Sequence, residues 1–458
     1  MKSSSSTTTA PSLPAEREHA VLSANSALRS VQAFALFAFA ASVSLSIAGA
    51  HISLGLLALC VMAQGAKSKG QSASYKLGIE WPILAFAVVA LISTALSEAP
   101  LASFRNLRHL LTILGAYTVA FSLRRYPEWR RPLLWTFLGV ATIAAIYGLG
   151  KFALGITSKV QSTQGTTMTW GALCVMFMAF TLQMALAAPS RRERWLARAQ
   201  FIPQIFALLL SLVRGAYVGF AASVIYLLRQ YWTNRQLLLK RILPGLLAFM
   251  VVAVFLSPPA VRQRLALIFD LKYHSTQVRL VQWEYALKIA ADHPIVGVGW
   301  RDMLPIVRRY VPPDIKVPEQ TRIDIFHIGH FHNNYVMILV CFGFVGLFAF
   351  LWLLVAVWRQ LGTAAQRANS EHDRRMIFAS RAAMIGFLVA GIFDWTFGDA
   401  EVVTMFWFVI GMGLGQTRSA NFVPQPSSHG GNAPDISKPH APLPENIKPG
   451  NSAKTARR

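Results

Sequence analysis

Acidic residues are scarce in this sequence: 20 Asp and Glu stand against 44 Lys and Arg, and charged residues of both signs fill only 14% of the 458 positions. So little charge, beside 54% hydrophobic residues and a mean hydropathy of +0.43, excludes an ordinary water-soluble domain of this length and points to the membrane. Cysteine is nearly absent as well. Cys60, Cys174 and Cys341 sit in three separate apolar runs, where a free thiol behaves as a small hydrophobe, so neither a disulfide framework nor a structural zinc site is supported. A net charge of +24 has two usual sources, nucleic-acid binding and cytoplasmic loops facing anionic lipid. Here the basic residues cluster in short stretches between apolar runs rather than on one polar domain, which argues against nucleic acid.

What the chain does have is about twelve apolar runs near the roughly 20 residues that cross a bilayer core. They lie at 31–49, 51–66, 80–96, 107–123, 133–154, 168–188, 196–213, 215–229, 241–257, 335–357, 380–397 and 401–417. The first two, separated only by Ala50 and His51, and the seventh and eighth, joined at Arg214-Gly215, could each be one broken helix. Every second connection is basic: Lys67, Lys69 and Lys76; Arg124, Arg125, Arg130 and Arg131; Arg191, Arg192 and Arg194; Arg229, Arg235, Lys240 and Arg241; Arg359, Arg367, Arg374 and Arg375. Lys and Arg are retained in the cytoplasm, so this alternation predicts an even number of spans with both termini inside. The chain then divides into a cytoplasmic tail (1–30), nine spans (31–257), a periplasmic loop (258–334), three spans (335–417) and a disordered cytoplasmic tail (418–458). The first thirty residues read as an uncleaved tail, because the apolar run begins too far in for a signal peptide. The long loop has helical periodicity over 261–271 and 277–294, a turn at Gly297 to Trp300, and a further segment at 303–311, so an ordered lid is expected.

Four places carry residues suited to chemistry, and the topology puts all four on the periplasmic face. His327, His330 and His332 precede the tenth run. A histidine titrates near pH 6.5 when nothing perturbs it, so a neutral imidazole is available to take a proton from a hydroxyl, and His332 is the candidate general base. Two other readings stand beside it: an interfacial histidine that caps the helix with Asn333, or a metal site of His327, His330 and His332 with Asp324 as the nearby carboxylate. Arg214 lies between two apolar runs, where a charge is costly and usually functional, although snorkelling to lipid headgroups is the simpler alternative. Arg279 opens an amphipathic segment of the loop and could equally belong to a solvated helix face, as Arg262, Arg264, Arg308 and Arg309 could. Two guanidinium groups would suit a diphosphate, since each makes paired charge-assisted bonds to phosphate oxygens and stays charged. Asp394, Asp399 and Glu401 mark the turn between the last two runs, with Asp394 the first choice as a partner for His332 and Asp399 the second.

His332-Asn333, followed by nine residues, Gly343, two more and Gly346, resembles the signature of O-antigen ligases and related protein O-glycosylating ligases. Ser211 to Gly215 resembles the Ser-x-x-Arg-Gly turn of the same superfamily, and Arg279 to Trp283 with Gly297-Val298-Gly299 resembles its Arg-x-x-x-Trp segment. The resemblance covers about Leu208 to Gln416 most specifically; the first six spans match in hydropathy alone. It implies an all-α polytopic membrane protein of the type-C glycosyltransferase kind, in the inner membrane of a Gram-negative bacterium, with a periplasmic active site. It implies transfer of O-antigen polysaccharide from undecaprenyl diphosphate to a sugar hydroxyl of lipid A-core, with inversion and without a cofactor or metal. Under it Arg214 and Arg279 hold the diphosphate, His332 is the base, and His330, Asn333 and Asp394 support the substrates; Arg105 and Arg108 are further carrier contacts, and Arg262, Arg264, Arg308 and Arg309 either form a solvated face or bind acidic lipid A-core. The rivals are an O-antigen polymerase, a protein O-oligosaccharyltransferase and, from another class, a flippase, which would carry broken-helix repeats and a midplane charge.

Overall fold

A computed structural model describes residues 15–67, 75–230, 236, 239–240, 243–255, 259–266, 270, 274–327 and 329–417. The chain divides into residues 1–421 and 422–458, and the second part lies wholly outside the described residues, as do residues 1–14 of the first expected tail and all of the second. The described elements are helical, with no strand among them. In chain order they are α1 (Ala15–Ser42), α2 (Ile47–Lys67), α3 (Glu80–Leu96), α4 (Pro100–Leu107), a 3-10 segment (Arg108–Ile113), α5 (Leu114–Arg125), α6 (Arg130–Ala153), α7 (Thr167–Ala187), α8 (Arg191–Leu210) and α9 (Arg214–Arg229). Then follow α10 (Leu243–Phe255), α11 (Pro259–Ala266), α12 (His274–Asp292), α13 (Leu304–Tyr310), α14 (Glu319–Ile325), α15 (Asn334–Gln366), α16 (Glu371–Ala390) and α17 (Ala400–Leu414).

Starts are written locally. Thr166 with Thr169, and Ser190 with Glu193, form reciprocal capping boxes that satisfy the orphan amides of α7 and α8, and the Ser370 side chain accepts the Asp373 amide at the start of α16. Among the described residues, four helical stretches are long and apolar enough to cross a membrane: Ile47–Gly65, Pro127–Ala153, Thr167–Ala187 and Asn334–Gln366; Glu80–Leu96 and Ala400–Leu414 are shorter apolar helices. Several expected boundaries move. The first break falls between Ser42 and Ile47, not at Ala50-His51, which lies inside α2. The fourth run is split by the 3-10 segment, and α16 ends at Ala390, so Phe393 and Asp394 stand in the connection to α17 rather than in a span. In the long loop α12 and α13 appear where periodicity placed them, α11 covers the first part of 261–271, whose remainder apart from 270 lies outside the described residues, and α14 is an addition that its seven residues were too few to reveal.

α7 packs on α8, α9 and α16, α16 packs on α9 and α17, and α17 packs on α5. Trp170 and Phe177 of α7 and Phe406 and Phe408 of α17 lie fully buried in this core. The α9–α16 contact rests on small residues, as helix pairs in lipid generally do. A Cβ on Gly219 would stand 2.6 Å from the Gly386 carbonyl oxygen and 2.9 Å from the Ala390 Cβ, and one on Gly215 would stand 2.8 Å from the Phe393 Cβ. The Ser223 Oγ donates to the Ala382 carbonyl at 2.8 Å. Gly215, Gly219 and Ser223 recur every fourth residue, so one face of α9 lies against α16 and its first turn meets the 391–399 connection.

A second lock joins the loop to α15. Gly343 has φ 66° and ψ −169°, which breaks the ladder inside that helix. Carbonyls freed on one side of the break are taken by the loop: the Val298 amide donates to Val340 at 3.0 Å and the Gly299 amide to Cys341 at 2.9 Å. On the other side the Phe344 amide donates to Pro294 at 2.7 Å. Gly297, Gly299 and Gly343 all have positive φ, and a Cβ at Gly297 or Gly343 would overlap the opposing backbone. The Gly-Val-Gly landmark and the Gly343 end of the His-Asn landmark are thus two halves of one backbone joint, 294–299 pairing with 340–344.

Candidate active site

The segment 211–213 interrupts what would otherwise be one helix through α8 and α9. Leu212 has φ 58°, a conformation that costs a bulky side chain, and the Ser211 Oγ accepts the Val213 amide at 3.4 Å. Arg214 therefore stands at the first turn of α9 with its side chain turned towards α12. Its Nη2 donates to the Ser275 Oγ at 2.8 Å and the Thr276 Oγ1 at 3.0 Å. Arg279, one turn further along α12, donates from Nη1 to the Ser275 carbonyl at 2.8 Å and from Nε to the Phe393 carbonyl at 3.0 Å. The two arginines that the sequence singled out are brought together on one residue, Ser275, which it did not. Nothing in the pattern of residues 274–276 distinguishes that serine from an ordinary helix start.

Asp394 follows Phe393, and its Oδ1 lies 2.9 Å from the His332 Nδ1 and also accepts the Trp395 amide at 2.9 Å. The side chains of His332 and Asp394 are 9% and 14% exposed, so little water competes for this bond. His332 has φ 46°, and with Leu212 it makes up the non-glycine residues of positive φ among the described ones. Both flank this site, where strain of about 1–3 kcal/mol per residue is commonly held. With its proton on Nδ1, as the carboxylate favours, His332 keeps the Nε2 lone pair for another group. Burial alone would raise the Asp394 carboxyl, but the hydrogen bond and charge of His332, with His330 and Arg279, hold it below its ordinary value. Asp394 is accordingly the carboxylate that orients the histidine.

The other candidates sort around this pair. The His330 ring lies 4.4 Å from that of His332 in an edge-on contact. Burial pushes it down to about 4, His332 and Arg279 adding to the shift against Asp394 and Asp302, so it is neutral near pH 7. Asn333 is the helix cap: its Oδ1 accepts the Tyr335 and Val336 amides at 2.8 and 3.1 Å. The capping alternative for His332 itself is thereby corrected, because its neighbour does that work and the imidazole faces Asp394. Asn334, which sequence reading passed over, is buried and ties α15 to the last connection, donating to the Thr396 Oγ1 at 3.0 Å and accepting the Phe397 amide at 2.9 Å. Arg105 and Arg108 are exposed.

The three-histidine metal set does not assemble as the sequence suggested. His327 donates from Nδ1 to the Ile323 carbonyl at 2.7 Å, and Asp324 is paired at 2.7 Å with His274. His330, His332 and Asp394 do offer atoms that all lie within 4.8 Å of one another, near enough to hold a cation, with the Arg279 charge acting against one.

Asp399 accepts from the Thr169 Oγ1 at 2.9 Å rather than from His332. Burial pushes its carboxyl up to about 7, the Thr169 bond opposing and Asp394 and Glu401 assisting. The folded protein thus favours the protonated form, and the stability that this gives is full below about pH 4 and is lost as pH rises through about 7. Asp399→Asn keeps the acceptor for Thr169 and removes the titration. Thermal melting in detergent should therefore place the variant above wild type at pH 8 and level with it near pH 4; an equal offset at both would contradict the assignment.

The helices are compatible with a membrane protein, and the site sets a histidine–carboxylate pair beside two arginines in the first two turns of their helices. Residues 199–351 match the family described as O-antigen ligase, which supports the superfamily that the motifs resemble. Arg214, Arg279, His330, His332 and Asn333 lie inside that match, and Asp394 lies beyond it. No curated protein matches the chain.

Proposed function

We propose that the protein is an O-antigen ligase, transferring a finished glycan from undecaprenyl diphosphate to a sugar hydroxyl of lipid A-core. In this reading the chain crosses the inner membrane twelve times with both termini inside, as a type-C glycosyltransferase, and residues 258–334 form a lid on the periplasmic face. The observation that carries the reading is the 2.9 Å His332–Asp394 bond in a site whose Arg279 holds the adjoining Phe393 carbonyl and shares Ser275 with Arg214.

The chemistry follows from those contacts. The diphosphate of the donor takes its place at the Arg214–Arg279 pair, whose guanidinium groups neutralise the charge that grows as the anomeric carbon–oxygen bond breaks. The acceptor hydroxyl gives its proton to the His332 Nε2 as its oxygen attacks the anomeric carbon from the opposite face, which inverts the configuration. The carbon–oxygen electron pair leaves with the diphosphate, which is a stable anion and needs no proton. Asp394 keeps the tautomer in which Nε2 is the acceptor and stabilises the imidazolium that forms, the role that a carboxylate plays behind histidine in nucleophilic enzymes.

Deletion of the gene, followed by separation of lipopolysaccharide from carrier-linked glycan, tests the reading. Long polymer left on the carrier is the result expected of a ligase; single repeat units there would make the protein a polymerase. Because charge stabilisation comes from the arginines, purified protein in EDTA should transfer glycan at its ordinary rate. Activity that dies in EDTA and returns with a divalent ion would instead assign the His330–His332–Asp394 cluster to a metal.

A further inference from the structure

Arg308 at the end of α13 and Arg322 in α14 face a cleft of about 450 Å³ whose other walls are Val311, Pro313, Ile323, Phe326 and His327. Neighbouring Arg301 and Arg309 both pair with Glu98, at 3.4 and 2.5 Å, and Asp324 is taken by His274 and Gln320. Among the described residues, Arg308 and Arg322 have neither an ion pair nor a side-chain hydrogen bond, and no acidic residue lines the cleft. The volume is in the range of small-molecule sites, roughly 300–1,000 Å³. Cations beside an apolar shelf suit a sugar that carries phosphate, with its ring face on Phe326, Ile323 and Pro313 and its phosphate on the guanidinium groups.

The cleft is built on the same piece of chain as the proposed base. The Met303 amide, at the foot of α13, donates to the Gly329 carbonyl at 3.0 Å, and α14 leads through His327 directly into His330 and His332. The diphosphate of the donor is already provided for at Arg214 and Arg279. We infer that this cleft is the acceptor subsite, and that Arg308 and Arg322 recognise a phosphorylated sugar of the acceptor; the inference rests on the ligase reading for which substrate enters here.

The test uses purified full-length protein in nanodiscs, with lipid A-core and the same material dephosphorylated by hydrogen fluoride as probes. Binding is read by intrinsic tryptophan fluorescence and transfer is read separately. Wild type is expected to bind the phosphorylated probe about tenfold more tightly, as lost charge-assisted bonds imply. The double variant of exposed Arg308 and half-buried Arg322, Arg308→Ala/Arg322→Ala, should lose that preference, its affinity for the dephosphorylated probe unchanged. A wild type with no phosphate preference, a double variant that keeps it, or a preference that follows anionic lipid in the nanodisc instead of the probe would overturn the inference. Absence of transfer by wild type would count against the ligase reading alone, since the binding comparison still decides the subsite.

Discussion

His332→Ala is expected to lower glycan transfer by about 10²–10⁴-fold, the range that a positioned general base supplies, while the protein still reaches the membrane and still binds donor. The reason for separating the two effects is geometric. The imidazole meets Asp394 and His330, whereas the arginines meet Ser275, Thr276 and Phe393, so its removal leaves the proposed diphosphate contacts standing. Asp394→Asn should give a smaller loss of the same kind, because an amide that donates to Nδ1 favours the wrong tautomer without taking the ring away. Reconstituted transfer with radiolabelled donor reads both. If His332→Ala transferred at the wild-type rate, the hydroxyl would need another base and the assignment would be lost.

Arg214→Ala and Arg279→Ala are expected to act on the other half of the reaction. Each removes a guanidinium from the proposed leaving-group site, and charge-assisted hydrogen bonds of about 1.5–3 kcal/mol correspond to roughly 10- to 10²-fold each. Loss should appear in donor affinity and in the chemical step together, since the diphosphate is more anionic in the transition state than in the bound donor. The two substitutions should also be non-additive. Both side chains bond Ser275, so removing one loosens the anchor of the other. Lysine at position 279 keeps the charge but cannot hold both Phe393 and Ser275 with a planar fork, and it is expected to fall between alanine and wild type. Donor binding and single-turnover transfer, measured on both single variants and on the double, check this; independent losses that multiply would contradict the shared anchor.

The helical architecture was legible because apolar runs of bilayer length and alternating basic connections are long-range signals that survive local error. Helix breaks were less so. Hydropathy carries no mark of the turn at 43–46, and it ran the eleventh run through Phe393 and Asp394, two residues that the site needs in a connection. The principal candidate residues were visible as charge where charge is costly, in Arg214, and as histidines gathered ahead of an apolar run. Their partners were not visible, because a partner is fixed by packing between distant segments: Ser275 against Arg214, Phe393 against Arg279 and Asn334 against Thr396. Asp394 and Asp399 were ranked but not separated by sequence, since both occupy one turn. Burial and the facing residue distinguish them, His332 for the first and Thr169 for the second. The Gly215, Gly219 and Ser223 spacing was present in the sequence, and as a small-residue stripe on a membrane helix it was the signal that could have placed α9 against α16.

The proposed transfer requires a diphosphate seated between two guanidinium groups with the sugar it leaves facing one imidazole. Cryo-electron microscopy of the protein with a non-hydrolysable undecaprenyl diphosphate glycan analogue measures this directly. The density expected has the diphosphate bonded to both Arg214 and Arg279 and leaves room for only an acceptor hydroxyl between the anomeric carbon and the His332 Nε2. A diphosphate bound away from both arginines, or an anomeric carbon out of reach of His332, would contradict the account.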